Sequence, residues 1–126
     1  MKYLLPLLIV TLLFNGCSKD ESEKSDMDVI PTTWADIQAK FLENQVTAED
    51  FYNKHAVKLS GQITSINKSL GYAGSLFIND GSSESIMAAV DLSQSDKIKT
   101  LKSGQDVTVI CYSVPLGLSA NDCYIQ

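Results

Sequence analysis

The N-terminal apolar run of this chain, which closes at Cys17, decides how much of the sequence is left to fold into a domain. Lys2 provides a positively charged start, the residues from Leu4 to Leu13 are almost all apolar, and small or polar residues follow them. This order is typical of a secretory signal peptide. The run is about half of the ~20 apolar residues that a membrane-spanning helix needs, and it contains Pro6. We therefore assign residues 1–16 to a signal peptide, with a retained short anchor as the alternative.

The residues next to the cleavage point resemble a bacterial lipoprotein signal, in which an apolar residue and two small residues precede a cysteine. Gly16 and Cys17 match this pattern, and Phe14 and Asn15 occupy its two earlier positions. The resemblance implies cleavage before Cys17 and attachment of acyl chains to this residue. Several acyl chains hold a protein at a membrane without a spanning helix. The expected location is the bacterial cell envelope, on the outer membrane, facing the periplasm or the cell surface.

The charge of the remaining chain narrows its possible partners. Removal of 16 of the 126 residues leaves 110, enough for one small domain with a single core. This part has nine lysines, no arginine and all fifteen acidic residues, which gives a net charge of −6 with His55 neutral. Nucleic-acid binding rests on neutralising phosphates and on arginine forks. The composition therefore disfavours nucleic acid as a partner.

The stretch after Cys17 is predicted to be a tether. Ser18 to Asp28 holds seven charged residues and three serines, and almost nothing that could be buried. We assign residues 17–31 to the lipidated cysteine and a disordered tether, and residues 32–126 to the domain. The sequence Ser-Lys-Asp-Glu at 18–21 also resembles a surface-export signal of some lipoproteins, with a generic solvated linker as the alternative.

Two helices are predicted at the start of the domain. Thr32 and Thr33 offer an N-cap, and a second N-cap is expected at Thr47. The spacing of three and four residues places the apolar side chains of each helix on one face. These side chains are Trp34, Ile37, Phe41 and Leu42 in the first helix and Phe51 and Tyr52 in the second. Trp34 is interpreted as a core residue rather than as a residue that stacks on a ligand.

From Val57 the hydrophobic period changes to two, which predicts strands. Gly61 lies within the first strand, where it suits a bend or a bulge. A turn signal at residues 80–83 joins the next two strands. Residues 92–103 lack strand alternation and are assigned to a short helix or an irregular cover. The five predicted strands start at Val57, Ser75, Ser85, Asp106 and Leu118.

The cysteines support the last hairpin. With Cys17 lipidated, Cys111 and Cys123 remain as a pair in an oxidising compartment. A turn centred on Gly117 places them opposite each other, six residues to either side. Facing positions on antiparallel strands have the Cα separation that a disulfide needs. We expect a disulfide, with two buried free thiols as the alternative.

A series of residues from Tyr52 onwards is similar, in order and spacing, to the tRNA_anti-like family of bacterial OB-fold proteins. The series is Tyr52, Val57, Leu59, Gly61, Ile63, Leu101, Gly104, Gln105, Asp106, Val107, Val109, Cys111, Asp122, Cys123, Tyr124 and Ile125. The similarity covers about residues 48–126, and Ile110 stands where the family usually has Gly. It implies an OB fold. It does not imply tRNA binding, since many members resemble secreted or lipid-anchored proteins of unknown function.

The predicted fold is therefore a five-stranded OB-fold barrel, mainly β, with one or two N-terminal helices and a short helix before the fourth strand. Such barrels bind ligands on the second and third strands and on the loops at 68–74 and 115–119. The candidate ligand-binding residues are Lys68, Tyr72, Phe77 and Tyr112. For each aromatic residue, a place in the core is the alternative, because nucleic-acid stacking sites normally lie in a positive groove.

Nothing in the sequence indicates catalysis. His55 has no partners at metal-ligand spacing, and Glu49 and Asp50 are explained as helix N-terminal charges. We predict no enzyme activity, no cofactor and no metal. The predicted function is a lipid-anchored envelope module that contacts the membrane through the lipid on Cys17 and binds a protein or an envelope glycan. The alternative is a nucleic-acid or oligonucleotide-binding OB-fold protein.

Overall fold

The computed structural model describes residues 27–126. The signal peptide, Cys17 and most of the predicted tether lie outside the described residues. Within residues 27–126, no helix has the length and apolar character needed to cross a membrane.

The described chain contains three helices, six strands and two short 3₁₀ turns. In chain order they are β1 (Asp28–Pro31), α1 (Trp34–Glu43), α2 (Gln45–Lys54), β2 (His55–Asn67), β3 (Gly74–Asn79), β4 (Ile86–Val90), a 3₁₀ turn (Leu92–Gln94), α3 (Ser95–Ile98), β5 (Asp106–Ser113), a second 3₁₀ turn (Pro115–Gly117) and β6 (Ala120–Ile125).

Five of the strands close into a barrel. The 13-residue strand β2 is long enough to pair antiparallel with β5 through residues 57–62 and with β3 through residues 62–67. β4 then pairs antiparallel with β3 and parallel with β6, and β6 returns antiparallel to β5. This closed order, with a short helix between β4 and β5, confirms the predicted OB-fold architecture.

The strand directions define two ends of the barrel. β1, β2, β4 and β6 run one way, whereas β3 and β5 run the other way. The end at which β1 begins also carries the 80–85 and 114–119 loops, and we call it the tether end. The opposite end carries the 68–73 loop and residues 91–105, and we call it the far end.

β1 corrects one boundary of the sequence analysis. Residues 28–31, which were assigned to the disordered tether, pair parallel with residues 55–58 of β2. The prediction of disorder is wrong for these four residues because β3 leaves this part of the β2 edge without a strand neighbour. Val29 and Ile30 suit a strand, and main-chain hydrogen bonds to β2 hold the four residues in place. The sheet therefore includes residues from Asp28, four residues before the predicted start of the domain.

The two longer helices pack on the barrel through one face each. Trp34 and Ile37 of α1 and Ala48 and Tyr52 of α2 are buried. Trp34 is only 2% exposed, which confirms its assignment to the core. Leu42, in contrast, is 88% exposed, so its predicted place on the buried face is wrong. It follows Phe41 by one residue, and this step turns it away from the stripe that the other apolar residues of α1 form.

The start of α2 differs from the sequence prediction. Asn44, and not Thr47, is its N-cap, and the side-chain oxygen of Asn44 accepts hydrogen bonds from the amides of Val46 and Thr47, both at 3.1 Å. A single short amide side chain thereby satisfies two amides that the helix leaves unpaired. As a result α2 follows α1 with no loop between them beyond Asn44.

Gly61 allows a close approach of two strands rather than a bulge. The register shift of β2 lies between Ile63 and Ser65, not at Gly61. A Cβ atom at position 61 would lie 2.8 Å from the carbonyl carbon of Asn79, and an L side chain could not fit there without displacing β3. The predicted bend was therefore placed two residues too early in the strand.

The last hairpin has the predicted register. Cys111 lies opposite Cys123, and Ile110 lies opposite Tyr124. A disulfide joins the two cysteines, and both are fully buried in the barrel core. The bond links β5 to β6 at a point where β6 also pairs with β4, and it therefore fixes three neighbouring strands.

Candidate binding face of the barrel

The outer face of β3 and β4 carries an apolar pair. Leu76 and Ile78 point into the core, so the alternation of the strand directs Phe77 outward. Phe77 is half-buried and lies opposite Met87 of β4, which is 38% exposed. The predicted candidate Phe77 is therefore a surface residue on the strands that OB folds use for binding.

The 68–73 loop forms a separate site at the far end. Lys68 and Tyr72 line one open depression of about 620 Å³, together with the fully exposed Leu70. The loop turns through Gly71, whose φ of 83° is a left-handed conformation, and the amide of Tyr72 donates to the carbonyl of Ser69 at 3.2 Å. Two of the four predicted ligand-binding residues, Lys68 and Tyr72, thus line the same depression.

Tyr112 belongs to a third group. Because Cys111 and Cys123 point inward, Tyr112 and Tyr124 point outward from β5 and β6. Their rings pack edge to face with a centroid distance of 5.7 Å. Burial raises the pKa of Tyr124. The nearby carboxylate of Asp91 accepts a hydrogen bond from the Tyr124 hydroxyl and raises this pKa further. Asp122 contributes in the same direction.

A bulge positions the carboxylate of Asp122 beside this pair. Asn121 and Asp122 lie between the buried residues Ala120 and Cys123, and Asp122 has a φ of 52°. The pairing of β4 with β6 shifts register at the same point. Bulges of this kind re-aim side chains at the edges of binding sites. The tyrosines and the two carboxylates form what we call the tyrosine face: Tyr112, Tyr124, Asp91 and Asp122.

The four predicted ligand-binding residues do not form one site. Phe77 and Tyr112 are absent from the depression that Lys68 and Tyr72 line. Tyr124 is a further surface residue that was not among the predicted candidates, although its position next to a buried cysteine in an alternating strand indicates it. Asp91 was missed because its link to Tyr124 depends on the parallel pairing of β4 and β6, which has no local signal in the sequence.

The tether end has its own surface feature. Gly117 packs against Phe41 so closely that a Cβ at this position would lie 2.9 Å from the ring. The leucines on either side of it remain exposed, Leu116 by 46% and Leu118 by 77%. Leu42 and Phe41 line the same open depression as these loop residues.

Asp80 joins the 80–85 loop to α1. Its carboxylate accepts a hydrogen bond from the amide of Trp34 at 2.7 Å, and the amide of Ser82 donates to it at 3.0 Å. Burial by itself raises the pKa of Asp80, but the hydrogen bonds from Trp34 and Ser82 outweigh this effect and lower it. The carboxylate is held ionised at the positive end of the α1 dipole.

The candidate catalytic groups of the sequence have structural partners. The ring of His55 stacks on Phe51 with a centroid distance of 4.3 Å, and its Nδ1 lies 2.8 Å from the Phe51 carbonyl oxygen. Asp50 pairs with Lys54 at 3.3 Å on the surface of α2. Among residues 27–126, no group of three or more His, Cys, Asp or Glu side chains is arranged to hold a metal ion.

No model of a known protein family matches the chain, and no curated protein matches it. The resemblance to the tRNA_anti-like family therefore remains a prediction.

Solved structures share the barrel. One is a lipoprotein from Klebsiella pneumoniae subsp. pneumoniae MGH 78578 to which nucleic-acid binding is attributed, with a TM-score of 0.59 and 18% identity over 86% of this chain and 98% of that chain. Another is a structure of yeast Stn1 and Ten1, with a TM-score of 0.56 and 13% identity over 79% of this chain and 63% of that chain. The S. pombe Stn1–Ten1 complex reaches a TM-score of 0.46 at 18% identity, over 56% of this chain and 57% of that chain.

The chain spans somewhat more than half the length of the Stn1–Ten1 chains that it matches. At 13 to 18% identity the likeness shows the OB fold and nothing about the ligand.

Proposed function

We propose that this protein is a non-catalytic OB-fold binding module, anchored in the bacterial cell envelope through lipid on Cys17, that binds an envelope glycan through the tyrosine face. The observation that carries this proposal is the position of Tyr112 and Tyr124 beside Asp91 and Asp122 on the outer surface of a closed OB barrel.

The chemistry of the tyrosine face fits a hydroxyl-rich ligand. Tyrosine rings offer flat apolar surface with a polar hydroxyl at one end, which suits the faces of sugar rings. Carboxylates accept hydrogen bonds from hydroxyl groups. OB folds bind oligosaccharides as well as oligonucleotides on their second and third strands and the neighbouring loops. The tyrosine face lies next to that surface, because β6 pairs with β4, the third barrel strand. A polyanion would meet repulsion here, since Asp91 and Asp122 place negative charge next to the rings.

The proposed anchor rests on the sequence, because Cys17 lies outside the described residues. The match of Gly16-Cys17 to a lipoprotein signal, and the pairing of the other two cysteines in a disulfide, leave Cys17 as the one cysteine of the chain that is not in that bond. A Cys17→Ser variant is expected to leave the membrane fraction. Retention of this variant in the membrane would refute the anchor.

Nucleic-acid binding is the second candidate. The observation in its favour is the similarity to the Klebsiella pneumoniae lipoprotein to which nucleic-acid binding is attributed. The depression lined by Lys68 and Tyr72 would be the place for it, because it combines a lysine with an aromatic ring. The net charge of −5 for the whole chain and the lack of arginine count against it.

A binding titration distinguishes the two candidates. The full chain, purified in detergent from its own membrane, is titrated with glycan fragments released from peptidoglycan and, separately, with a short single-stranded oligodeoxynucleotide at low salt. Isothermal titration calorimetry measures binding, and the variants assign it to a site. The matched variants are Tyr112→Leu, which removes one ring of the pair, and Tyr72→Leu, which removes the aromatic ring of the far-end depression.

We expect the glycan fragments to bind the native chain and the Tyr72→Leu variant, and to bind Tyr112→Leu about tenfold more weakly, the loss typical of one stacking aromatic ring. Salt-sensitive binding of the oligonucleotide that is lost in Tyr72→Leu would instead support the second candidate. If glycan binding is absent, or is the same in all three proteins, the assignment of the tyrosine face is wrong.

A further inference from the structure

The tether end exposes a cluster of leucines. Leu42 is 88%, Leu118 is 77% and Leu116 is 46% exposed. All three line one open depression of about 530 Å³, with the half-buried Phe41 at its base. Among the described residues that line it, Glu84 is the one charged side chain. We call the three leucines the leucine cluster.

The backbone holds two of these leucines outward. Leu116 has a φ of 54°, a left-handed conformation that a leucine rarely adopts. Gly117, between Leu116 and Leu118, is buried against the ring of Phe41. The loop is thus fastened to α1 through its glycine while both leucines face the solvent. An exposed apolar cluster of this kind marks an interaction surface rather than ordinary surface variation.

The position of this cluster relative to the start of the domain indicates its partner. β1 begins at Asp28, which pairs with His55 at the tether end. Ten residues, 18–27, separate Cys17 from Asp28, and the chain from Cys17 to Asp28 cannot span more than about 40 Å in any conformation. Lipid on Cys17 would therefore keep a membrane surface within that distance of the end that carries the leucine cluster.

We infer that the leucine cluster inserts into the surface of the membrane that holds the lipid anchor, so that the barrel is held with its tether end against the lipid. This inference rests on the proposed acylation of Cys17. The anchor raises the local concentration of lipid, so a weak apolar contact of three leucines is sufficient. Glu84, which lines the depression, and Glu43, which follows Leu42 in the sequence, favour a zwitterionic over an anionic lipid surface, because both carry negative charge.

The inference also orients the binding face. With the tether end on the lipid, the far end points away from the membrane. The outer surfaces of β3, β4, β5 and β6 then form the side wall of the barrel, between the two ends. The 68–73 loop at the far end offers a matched control, since Leu70 is fully exposed there and lies at the opposite end of the barrel from Leu118.

Site-specific photocrosslinking in intact cells tests the inference. The full chain, produced with its own signal peptide, carries a benzophenone amino acid at position 118 or at position 70. After irradiation the protein is purified, and covalently attached phospholipid is measured by mass spectrometry. The same samples yield the mass of the mature N-terminus, which reports acylation of Cys17. Equal melting temperatures show that both variants are folded.

We expect position 118 to attach phospholipid about tenfold more than position 70, because an inserted apolar side chain lies at the headgroup and acyl boundary. An acylated protein with equal lipid labelling at the two positions would overturn the inference and leave the anchor intact. Crosslinks from position 118 to a protein instead of lipid would also overturn it. A chain without acyl groups at Cys17 would remove both the anchor and the inference.

Discussion

Asp80 offers the sharpest test of how the helices are fixed to the barrel. Its carboxylate reaches from the 80–85 loop to the first amide of α1, with a distance of 2.7 Å to the Trp34 nitrogen. Trp34 is itself 2% exposed and belongs to the core beneath this helix. An Asp80→Ala variant removes the acceptor from both Trp34 and Ser82 and leaves the surrounding apolar packing in place.

The expected loss of stability follows from these contacts. A hydrogen bond to a charged group contributes about 1.5 to 3 kcal/mol. Negative charge at a helix N-terminus adds about 0.3 to 1 kcal/mol. Because Asp80 is partly exposed, we expect both contributions to lie in the lower part of their ranges. We therefore expect Asp80→Ala to lower the free energy of unfolding by about 2 to 3 kcal/mol. For a domain of this size the melting temperature should fall by roughly 10 to 20 °C.

Glu84→Ala is the matched control. Glu84 is an exposed acid on the same loop and also faces α1, but its contact to Gln38 is 3.5 Å long and lies on the surface. We expect its loss to change stability by no more than about 0.5 kcal/mol. Both variants are compared with the native chain by thermal melting followed by circular dichroism.

The pH dependence gives a second readout. The pKa of Asp80 in the folded chain is lowered from its ordinary value of 3.8, so its stabilising effect is present above about pH 4 and is lost as the pH falls through the lowered pKa. The difference in melting temperature between the native chain and Asp80→Ala should therefore shrink below pH 4. Equal melting temperatures at pH 7, or a difference that does not change at low pH, would refute this account of Asp80.

Three further predictions concern the barrel. Gly61→Ala should destabilise the fold by about 1 to 3 kcal/mol, because its Cβ would overlap the carbonyl group of Asn79 in β3. An unchanged urea midpoint would contradict this. Cys111 and Cys123 are 12 residues apart, and reduction of their disulfide should lower the free energy of unfolding by about 2 to 3 kcal/mol. An unchanged melting temperature on reduction would contradict this prediction. The pKa of Tyr124 is raised above its ordinary value of 10.0 by burial and by Asp91, so the stability it contributes is present below pH 10 and is lost as the pH rises through the raised value. Ultraviolet titration should show one fewer late-titrating tyrosine in Tyr124→Phe, and an identical titration curve would contradict the assignment.

The barrel could be predicted from the sequence because its signals are local. The alternation from Val57 to Ile63 indicates a half-buried strand, and the structure buries Val57, Leu59 and Ile63. The turn at Gly117 sets the register of the last hairpin, since each side of a hairpin is counted from its turn.

Features that depend on distant pairing could not be predicted in the same way. β1 forms on the free edge of β2, and its four residues, directly after a charged stretch, are too few to indicate a strand by alternation. The tyrosine face needs the parallel pairing of β4 with β6 to bring Asp91 to Tyr124. The N-cap of α2 was misplaced because Asn44 and Thr47 are both good caps, and the sequence does not show that α2 begins directly after α1.

The anchor is the claim on which the location, the orientation and the proposed ligand class of this protein all rest. The most direct measurement is the intact mass of the mature protein, purified in detergent from the membrane of a bacterium that acylates lipoproteins. The account predicts a chain that begins at Cys17 and carries the added mass of acyl groups, with residues 1–16 removed. A chain that retains these residues, or that is cut elsewhere and carries no acyl group, would contradict it.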